Sequence, residues 1–323
     1  MHNHLTISAL EMIKFEAKSI LEIYTRFSDE QKCIDFLEEL VWKGHPVSPF
    51  DKTSKVYKCK NNRYRCANTR KYFTVKTGTI FENTKISLRH WFAAIWMFTS
   101  HKSGFSSMEL QREFGITQKS AWFMIQRIRE AAKCENYGHL GGEVECDETY
   151  VGGKMKNKHK NKRTENAQGR STKSKMCVFG MLERYTKRVS ATVVPSASSE
   201  NLMKHIGRTI EFDATVYTDE WLAYNQLDGI YEHLVVRHGE RQYVDGDAHT
   251  NSIENFWGNF KRGIIGVYRV LSYKHLQRYV DEFVFRRNTC KYRTDERFLH
   301  LLQNVRGARL KYADLIKDVK EAA

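Results

Sequence analysis

The apolar residues change their spacing abruptly at Gly141-Gly142, and that change limits the fold more than any other feature of the chain. From Leu88 to about Ala132, upstream of it, they recur at three- and four-residue intervals, the period of a helix; downstream they alternate or run in short blocks, the period of a strand. Val144 to Val151, Met176 to Arg184 and Val189 to Pro195 read as three successive strands. Ser199 to Ile210 reads as a helix capped by Ser198 or Ser199, Ala214 to Thr218 as a fourth strand ending on Asp219, and His233 to Arg237 as a fifth candidate. A long helical tract opens near Thr250 or Ser252 and carries Ile253, Phe256, Trp257 and Phe260 on one side. Three strands, a helix, a strand and later helices make a mixed α/β layer fold.

Upstream of the switch, Ile7 to Trp42 is helical in period, with Ser28 or Asp29 available as a cap. Lys55 to Phe81 breaks into short alternating runs punctuated at Asn61-Asn62 and Gly78, which reads as a small antiparallel ribbon. Leu88 to Ser100 is an aromatic-rich helix; its apolar run from Trp91 to Phe98 is far shorter than the ~20 residues that cross a membrane. Ser106 to Leu110, a glycine turn at Gly115 and a helix from Thr117 to about Ala132 match the helix-turn-helix pattern. With Ala121, Ile125 and Ile128 facing inward, Gln118, Lys119, Gln126, Arg127 and Arg129 are expected to face outward, and Gln118, Lys119 and Arg127 are candidate DNA contacts.

Charge narrows the partner. The formal net charge is +15, and two windows exceed it together: residues 51–89 carry +9 and residues 154–175 carry +8, leaving the rest slightly acidic. Two basic islands on a balanced chain suit a polyanion held in two places, as nucleic acid is. The second island falls in the hairpin after the first strand, too polar for a core, and supplies Lys156, Lys158, Lys160, Lys162 and Arg163 as further candidate contacts. Seven cysteines without paired spacing fit reduced thiols. Met1 to Leu5 lacks the charged-then-apolar order of a secretory signal, so a cytoplasmic location is expected.

Three acids stand where strands and helices should be apolar or should end: Asp147 inside the first strand, Asp219 at the end of the fourth, and Glu254 in the first turn of the long helix. Carboxylates converging from separate elements repel one another unless a hard divalent cation lies among them. The three are therefore expected to approach closely and to hold Mg²⁺ or Mn²⁺, most simply as two ions that activate an attacking oxygen and stabilise the leaving one at a phosphodiester. Taken singly, each acid has a plainer reading as a turn or helix-end residue. Lys261 follows Glu254 by two helical turns, on the same face, where its ammonium can hold a phosphate.

Longer stretches carry a resemblance. Thr250-Asn251-Ser252-Ile253-Glu254-Asn255-Phe256-Trp257, Lys261-Arg262-Gly263-Ile264, Ser272 to Phe283 with Arg287-Asn288, and upstream Asp147-Glu148-Thr149-Tyr150-Val151-Gly152-Gly153-Lys154 resemble the ISXO-type insertion-sequence transposases, relatives of the Merlin elements. Phe73 to Phe81 and Ala121-Trp122-Phe123-Met124 extend the likeness over residues 30 to 305. The resemblance implies a ribonuclease H-like catalytic domain with Asp147, Asp219 and Glu254 as a DDE triad, behind a zinc-ribbon-like segment and a helix-turn-helix. It implies double-stranded DNA partners, namely the terminal inverted repeats and the target, at least a homodimer on DNA, and residence with the bacterial nucleoid. Relatives often place a histidine where His238 stands, and its role stays open.

One departure stands out. Relatives build a zinc site from two Cys-x-x-Cys pairs, which here are His45-Pro46-Val47-Ser48 and Cys66-Ala67-Asn68-Thr69. Only His45 and Cys66 retain ligating atoms, too few for a structural zinc, so no zinc is expected. Trp42, Tyr64, Tyr72 and Phe73 are expected to hold the ribbon instead. The resulting divisions are a helical segment 1–50, the ribbon 51–86, the helix-turn-helix region 87–135, the catalytic domain 140–290 and a helical tail 291–323. A DNA-binding protein that has lost catalysis, or a ribonuclease H-like nuclease without strand transfer, would carry many of the same residues.

Overall fold

The computed structural model describes residues 15–133, 138–152, 175–236 and 250–317. The chain divides into two compact units, Met1–Ala132 with Lys291–Ala323, and Lys133–Cys290.

In the first unit, the helical N-terminal stretch is two helices, α1 (Ile20–Arg26) and α2 (Glu30–Trp42), parted at Phe27 to Asp29. Asp29 caps α2 by accepting from the Lys32 N–H at 2.9 Å. The aromatic helix α3 (Leu88–Ser100) is buried on nearly every side, which accounts for its long apolar run. Phe92 of α3 packs edge-on against Phe27 at 4.6 Å. Phe298 reaches the same cluster from α9 (Thr294–Gln303), 5.9 Å from Phe92. The C-terminal segment thus closes the N-terminal core, and Met1–Ala132 with Lys291–Ala323 forms one compact unit.

The ribbon is three short antiparallel strands, β1 (Val56–Lys58), β2 (Tyr64–Cys66) and β3 (Tyr72–Phe73). Asn61 and Asn62 make its first turn with φ of 58° and 54°, a backbone that asparagine tolerates well. Trp42 packs edge-on against Tyr64 at 4.9 Å and Phe73 at 6.0 Å, so three of the four expected aromatics hold the ribbon. Tyr72 is the exception: it pairs with Arg65 on the outer face and is 50% exposed.

Cys66 is fully buried in the ribbon while His45 is exposed. Burial alone would raise the Cys66 thiol, but hydrogen bonds from the hydroxyls of Ser48, Ser54 and Thr69 and from the Thr69 backbone bring it down to about 6. Among the described residues no three His, Cys, Asp or Glu side chains are gathered into a metal-binding group. Elemental analysis of the purified protein is expected to return no stoichiometric zinc; one zinc per chain would make Cys59 a ligand suspect and overturn this reading of the ribbon.

α4 (Ser107–Phe114) and α5 (Gln118–Ala132) pack together across a turn at Gly115, whose φ of 63° suits a residue without a Cβ. Gln118 and Lys119 are exposed as expected. Gln126, Arg127 and Arg129 are not, at 0%, 5% and 2% exposure. The Arg127 guanidinium donates to the Glu82 carbonyl and lies 5.0 Å from the Phe123 ring and 5.7 Å from the Trp91 ring. Arg127 is therefore a buried cation and does not face outward as expected. Arg127→Ala is expected to cost about 2–4 kcal/mol of stability through lost packing and an orphaned carbonyl, measured by denaturant unfolding. Weaker DNA binding at unchanged stability would restore the outward reading.

The second unit is a five-stranded mixed sheet. Its strands are β4 (Glu143–Val151), β5 (Met176–Glu183), β6 (Val189–Val194), β7 (Thr215–Asp219) and β8 (Glu232–Val236), in the order β6-β5-β4-β7-β8. β4, β5 and β6 pair antiparallel, while β7 runs parallel to both β4 and β8. One face packs on α6 (Ser199–Thr209) through Val144, Cys146, Phe179, Leu202 and Ile206. The other packs on α7 (Asn251–Gly263) and α8 (Tyr273–Asn288) through Val178, Ala191, Trp257, Phe260 and Val280. No helix among the described residues is long and apolar enough to cross a membrane.

Candidate active site

Parity along β4 decides which side chains meet. Val144 and Cys146 enter the α6-side core and Val151 the α7-side core, so Glu145 and Asp147, which share the parity of Val151, point toward α7. The β4 to β7 ladder ends at Glu145 opposite Tyr217. Asp147 and Asp219 each lie two residues beyond that last pair, close enough for the Asp219 charge to act on Asp147. A cleft of about 700 Å³ opens there, lined by Asp147, Glu148, Asp219, Trp221, Lys175 and Ser198. The Trp221 backbone N–H donates to Asp219 Oδ1 at 3.1 Å and orients that carboxylate.

The electrostatics of the cleft are those of crowded acids. Burial, reinforced by the charges of Glu148, Asp219 and Glu254, pushes Asp147 up to about 8. Burial and the Asp219 charge push Glu148 up to about 7, although the nearby Tyr224 hydroxyl pulls the other way. Glu148 Oε1 is buried with no hydrogen-bond partner. Glu148 escaped sequence reasoning because its chemistry comes from burial beside Asp219, and only its adjacency to Asp147 hinted at a role.

Glu254 lies in the first turn of α7, exposed, and accepts from the Thr250 hydroxyl at 3.3 Å. Its charge reaches Asp147, but the three expected acids do not close into a ligand group in this structure. The donor set still suits a hard divalent cation: Asp147, Glu148 and Asp219 offer only carboxylate oxygens, and one of those oxygens lacks any partner.

What fixes α7 is a residue missed by the sequence reading. Glu145 is fully buried, and its Oε2 accepts from the backbone N–H groups of Ser252 and Ile253, both at 2.9 Å. A carboxylate at this helix start satisfies orphan donors and meets the positive end of the helix dipole. Glu145 Oε1 accepts from Arg184 Nε at 3.0 Å, and the Arg184 guanidinium lies 3.6 Å from the Tyr217 ring centroid and pairs with Glu143 at 2.8 Å. One strand thus carries Asp147 and, two residues earlier, the anchor of the helix that carries Glu254. Gly180, paired with Asp147 on β5, completes the fit: a Cβ there would meet the Trp257 ring at 2.5 Å. The signal for Glu145 was present in its parity, since an acid on the buried side of a strand needs a partner as much as Asp147 does.

The family model for the ISXO2-like transposase domain matches residues 139–288, the segment that holds this whole arrangement. The chain carries an ISXO2-like transposase domain. An uncharacterized protein in transposable element ISH50 of Halobacterium salinarum is 27% identical over 273 residues, which cover 81% of this chain and 92% of that protein. An uncharacterized transposase-like protein of Haemophilus influenzae is 28% identical over 102 residues, 31% of this chain and 81% of that protein. Among solved structures, a chain of the simian T-cell lymphotropic virus intasome in complex with PP2A regulatory subunit B56 gamma matches with a TM-score of 0.27 and 13% identity. That match covers 55% of this chain and 63% of that one.

Within the transposase domain, Lys261 is exposed on α7, two turns beyond Glu254 and on the same face. Lys156, Lys158, Lys160, Lys162 and Arg163, with His238, lie outside the described residues. Gln118 and Lys119 belong to the other unit, at the start of α5; Gln118 donates to the Ser107 hydroxyl at 2.9 Å and Lys119 lies 4.8 Å from the Tyr312 ring centroid.

Proposed function

We infer that this transposase acts on DNA: it binds the terminal inverted repeats of its element, cuts the ends and joins the freed 3′ hydroxyl to target DNA by metal-dependent phosphoryl transfer. The observation that carries this reading is that Asp147 and Asp219, from two neighbouring parallel strands, line one cleft, with the Glu254 helix tied to the strand of Asp147 through Glu145. The strand order and the helices on both faces support a ribonuclease H-like fold for the catalytic unit.

In this reading Asp147, Asp219 and Glu254 form the catalytic triad and hold Mg²⁺ or Mn²⁺, with Glu148 as a fourth oxygen donor at the cleft. Bound divalent cations supply Lewis acidity to the attacking oxygen and charge for the leaving one. Asp147 is held largely protonated near neutral pH by burial and by its acidic neighbours, so its carboxylate is poised to lose that proton when positive charge arrives. Asp219 is aimed by the Trp221 N–H, and Lys261 holds a phosphate oxygen of the strand on the outer face of α7. Water is the first nucleophile and the 3′ hydroxyl the second. Each attacks phosphorus in line, so the protein contributes positioning and charge above all.

DNA is gripped by the α4 and α5 pair acting as a helix-turn-helix, with Gln118 and Lys119 exposed at the start of the second helix. The basic segment around Lys156, Lys158, Lys160, Lys162 and Arg163 guides target DNA, and a homodimer or larger assembly brings two ends together. Neutralising Lys156, Lys158, Lys160 and Lys162 is expected to weaken joining more than end binding in a strand-transfer assay; equal loss of both would sink this division of labour. The reading as a whole is tested with Mg²⁺ or Mn²⁺ and labelled duplexes bearing the sequences that flank the coding region. Cleavage followed by joining is expected. Binding without cleavage would make the protein a DNA-binding module, and cleavage without joining a nuclease.

A further inference from the structure

Strands β2 and β3 of the ribbon sort their residues by face. Tyr64, Cys66 and Phe73 point inward and are buried. On the other face the registers Tyr57 to Arg65 and Arg65 to Tyr72 set one row across all three strands. Tyr57 is 49% exposed, Tyr72 is 50% exposed, and Arg65 between them is exposed as well. Lys55 and Arg63 share this face by parity. The Lys55 ammonium lies 5.4 Å from the Tyr57 ring centroid, and the Arg63 and Arg65 guanidiniums lie 4.5 Å and 6.0 Å from that of Tyr72. No Asp or Glu occurs from residue 52 to residue 81.

Half-exposed tyrosines cost solubility, and the ribbon's inner packing is supplied by Trp42 from the opposite face. Their setting fits a ligand with both negative charge and flat rings. A duplex keeps its base faces stacked and offers phosphates and, within its grooves, base edges, neither of which calls for exposed rings to stack on. An unpaired strand offers both, and sheet faces that combine aromatic rings with Lys and Arg are suited to it. The strands that carry the two rings lie about 10 Å apart, two inter-strand spacings, with Arg65 on the strand between them to meet the phosphate that links the stacked bases.

We propose that the outer face of the ribbon binds unpaired DNA, with bases stacked on Tyr57 and Tyr72 and the backbone held by Lys55, Arg63 and Arg65. The proposal rests on the DNA-joining reading for the source of that strand, which is the end freed or frayed by cutting. It is tested on the full chain by fluorescence anisotropy with labelled oligothymidine and with a blunt duplex of the same length. Tyr57→Ala and Tyr72→Ala are each expected to weaken oligothymidine binding about tenfold, with duplex affinity changed less than about threefold. Tyr57→Phe and Tyr72→Phe, which keep the ring, are expected to bind both probes like the parent. Alanine variants that bind oligothymidine normally, or that lose both probes alike, would overturn the proposal while leaving the DNA reading intact. A parent protein that binds neither probe would overturn both.

Discussion

Asp147→Asn is expected to lower DNA cutting by about a thousandfold and, in the same protein without metal, to raise stability at pH 8. Activity falls because the amide cannot carry the negative charge that a cation site demands. Stability rises because the native carboxylate is in the wrong state. Folding raises the Asp147 pKa to about 8 from the ordinary carboxylate value, chiefly through burial and then through Glu148 and Asp219. The folded chain therefore keeps a proton that the unfolded chain has lost, and stability falls as pH rises from about 4 to about 8. Asparagine mimics the protonated acid and removes that loss. A carboxyl moved from about 4 to about 8 loses about 5 kcal/mol at pH 8 relative to its protonated form, which is the upper bound on the gain; nearly all of it should be gone at pH 4, where the folded acid is protonated and only part of the unfolded population has ionised. Thermal unfolding in EDTA at the two pH values measures it. A variant less stable than the parent at pH 8 would mean that the carboxylate is held ionised by a partner, against this account of the cleft.

Glu145→Ala carries the second large effect. It strips the acceptor from the Ser252 and Ile253 N–H groups and takes from the Arg184 guanidinium, 10% exposed, its fully buried carboxylate partner, while the more exposed Glu143 stays paired with it. Breaking a buried pair by removing one partner costs about 3–5 kcal/mol. Glu145→Gln keeps an acceptor for the helix and loses the charge, so about 1–3 kcal/mol is expected. The glutamine variant is the informative one for function. With α7 less firmly anchored, cutting should fall about tenfold or more while DNA binding is unchanged, because Glu254 and Lys261 ride on that helix. Removing Arg184 as well, as Arg184→Met, should cost less than the two single losses added together, since both act through one buried network. Full additivity in urea unfolding would show that Arg184 and Glu145 act separately.

The two residues just discussed mark where the sequence was readable and where it was not. Asp147 and Asp219 announced themselves by position, one inside a strand that should have been apolar and one at a strand end, and both line one cleft. The switch at Gly141-Gly142 marked the sheet well, because strand parity and capping residues such as Ser198 are local signals. Glu145 and Glu148 depend on partners far away in the chain, the α7 start and the cleft wall, and no local pattern reports those. Arg127 failed for the same reason. A helical wheel shows that its side is polar, but not that the Glu82 carbonyl and the rings of Trp91 and Phe123 wait on that side. Phe298 is the largest instance: it completes a core begun by Phe15 and Phe27, nearly the whole chain earlier.

The central claim is that Asp147, Asp219 and Glu254 together perform strand transfer. It is tested most directly by incubating labelled element ends with Mg²⁺ and target DNA, using the parent protein, Asp219→Asn and Glu254→Gln. The account predicts joined product from the parent alone, with end binding retained in both variants. Joined product from Asp219→Asn at the parental level would contradict it.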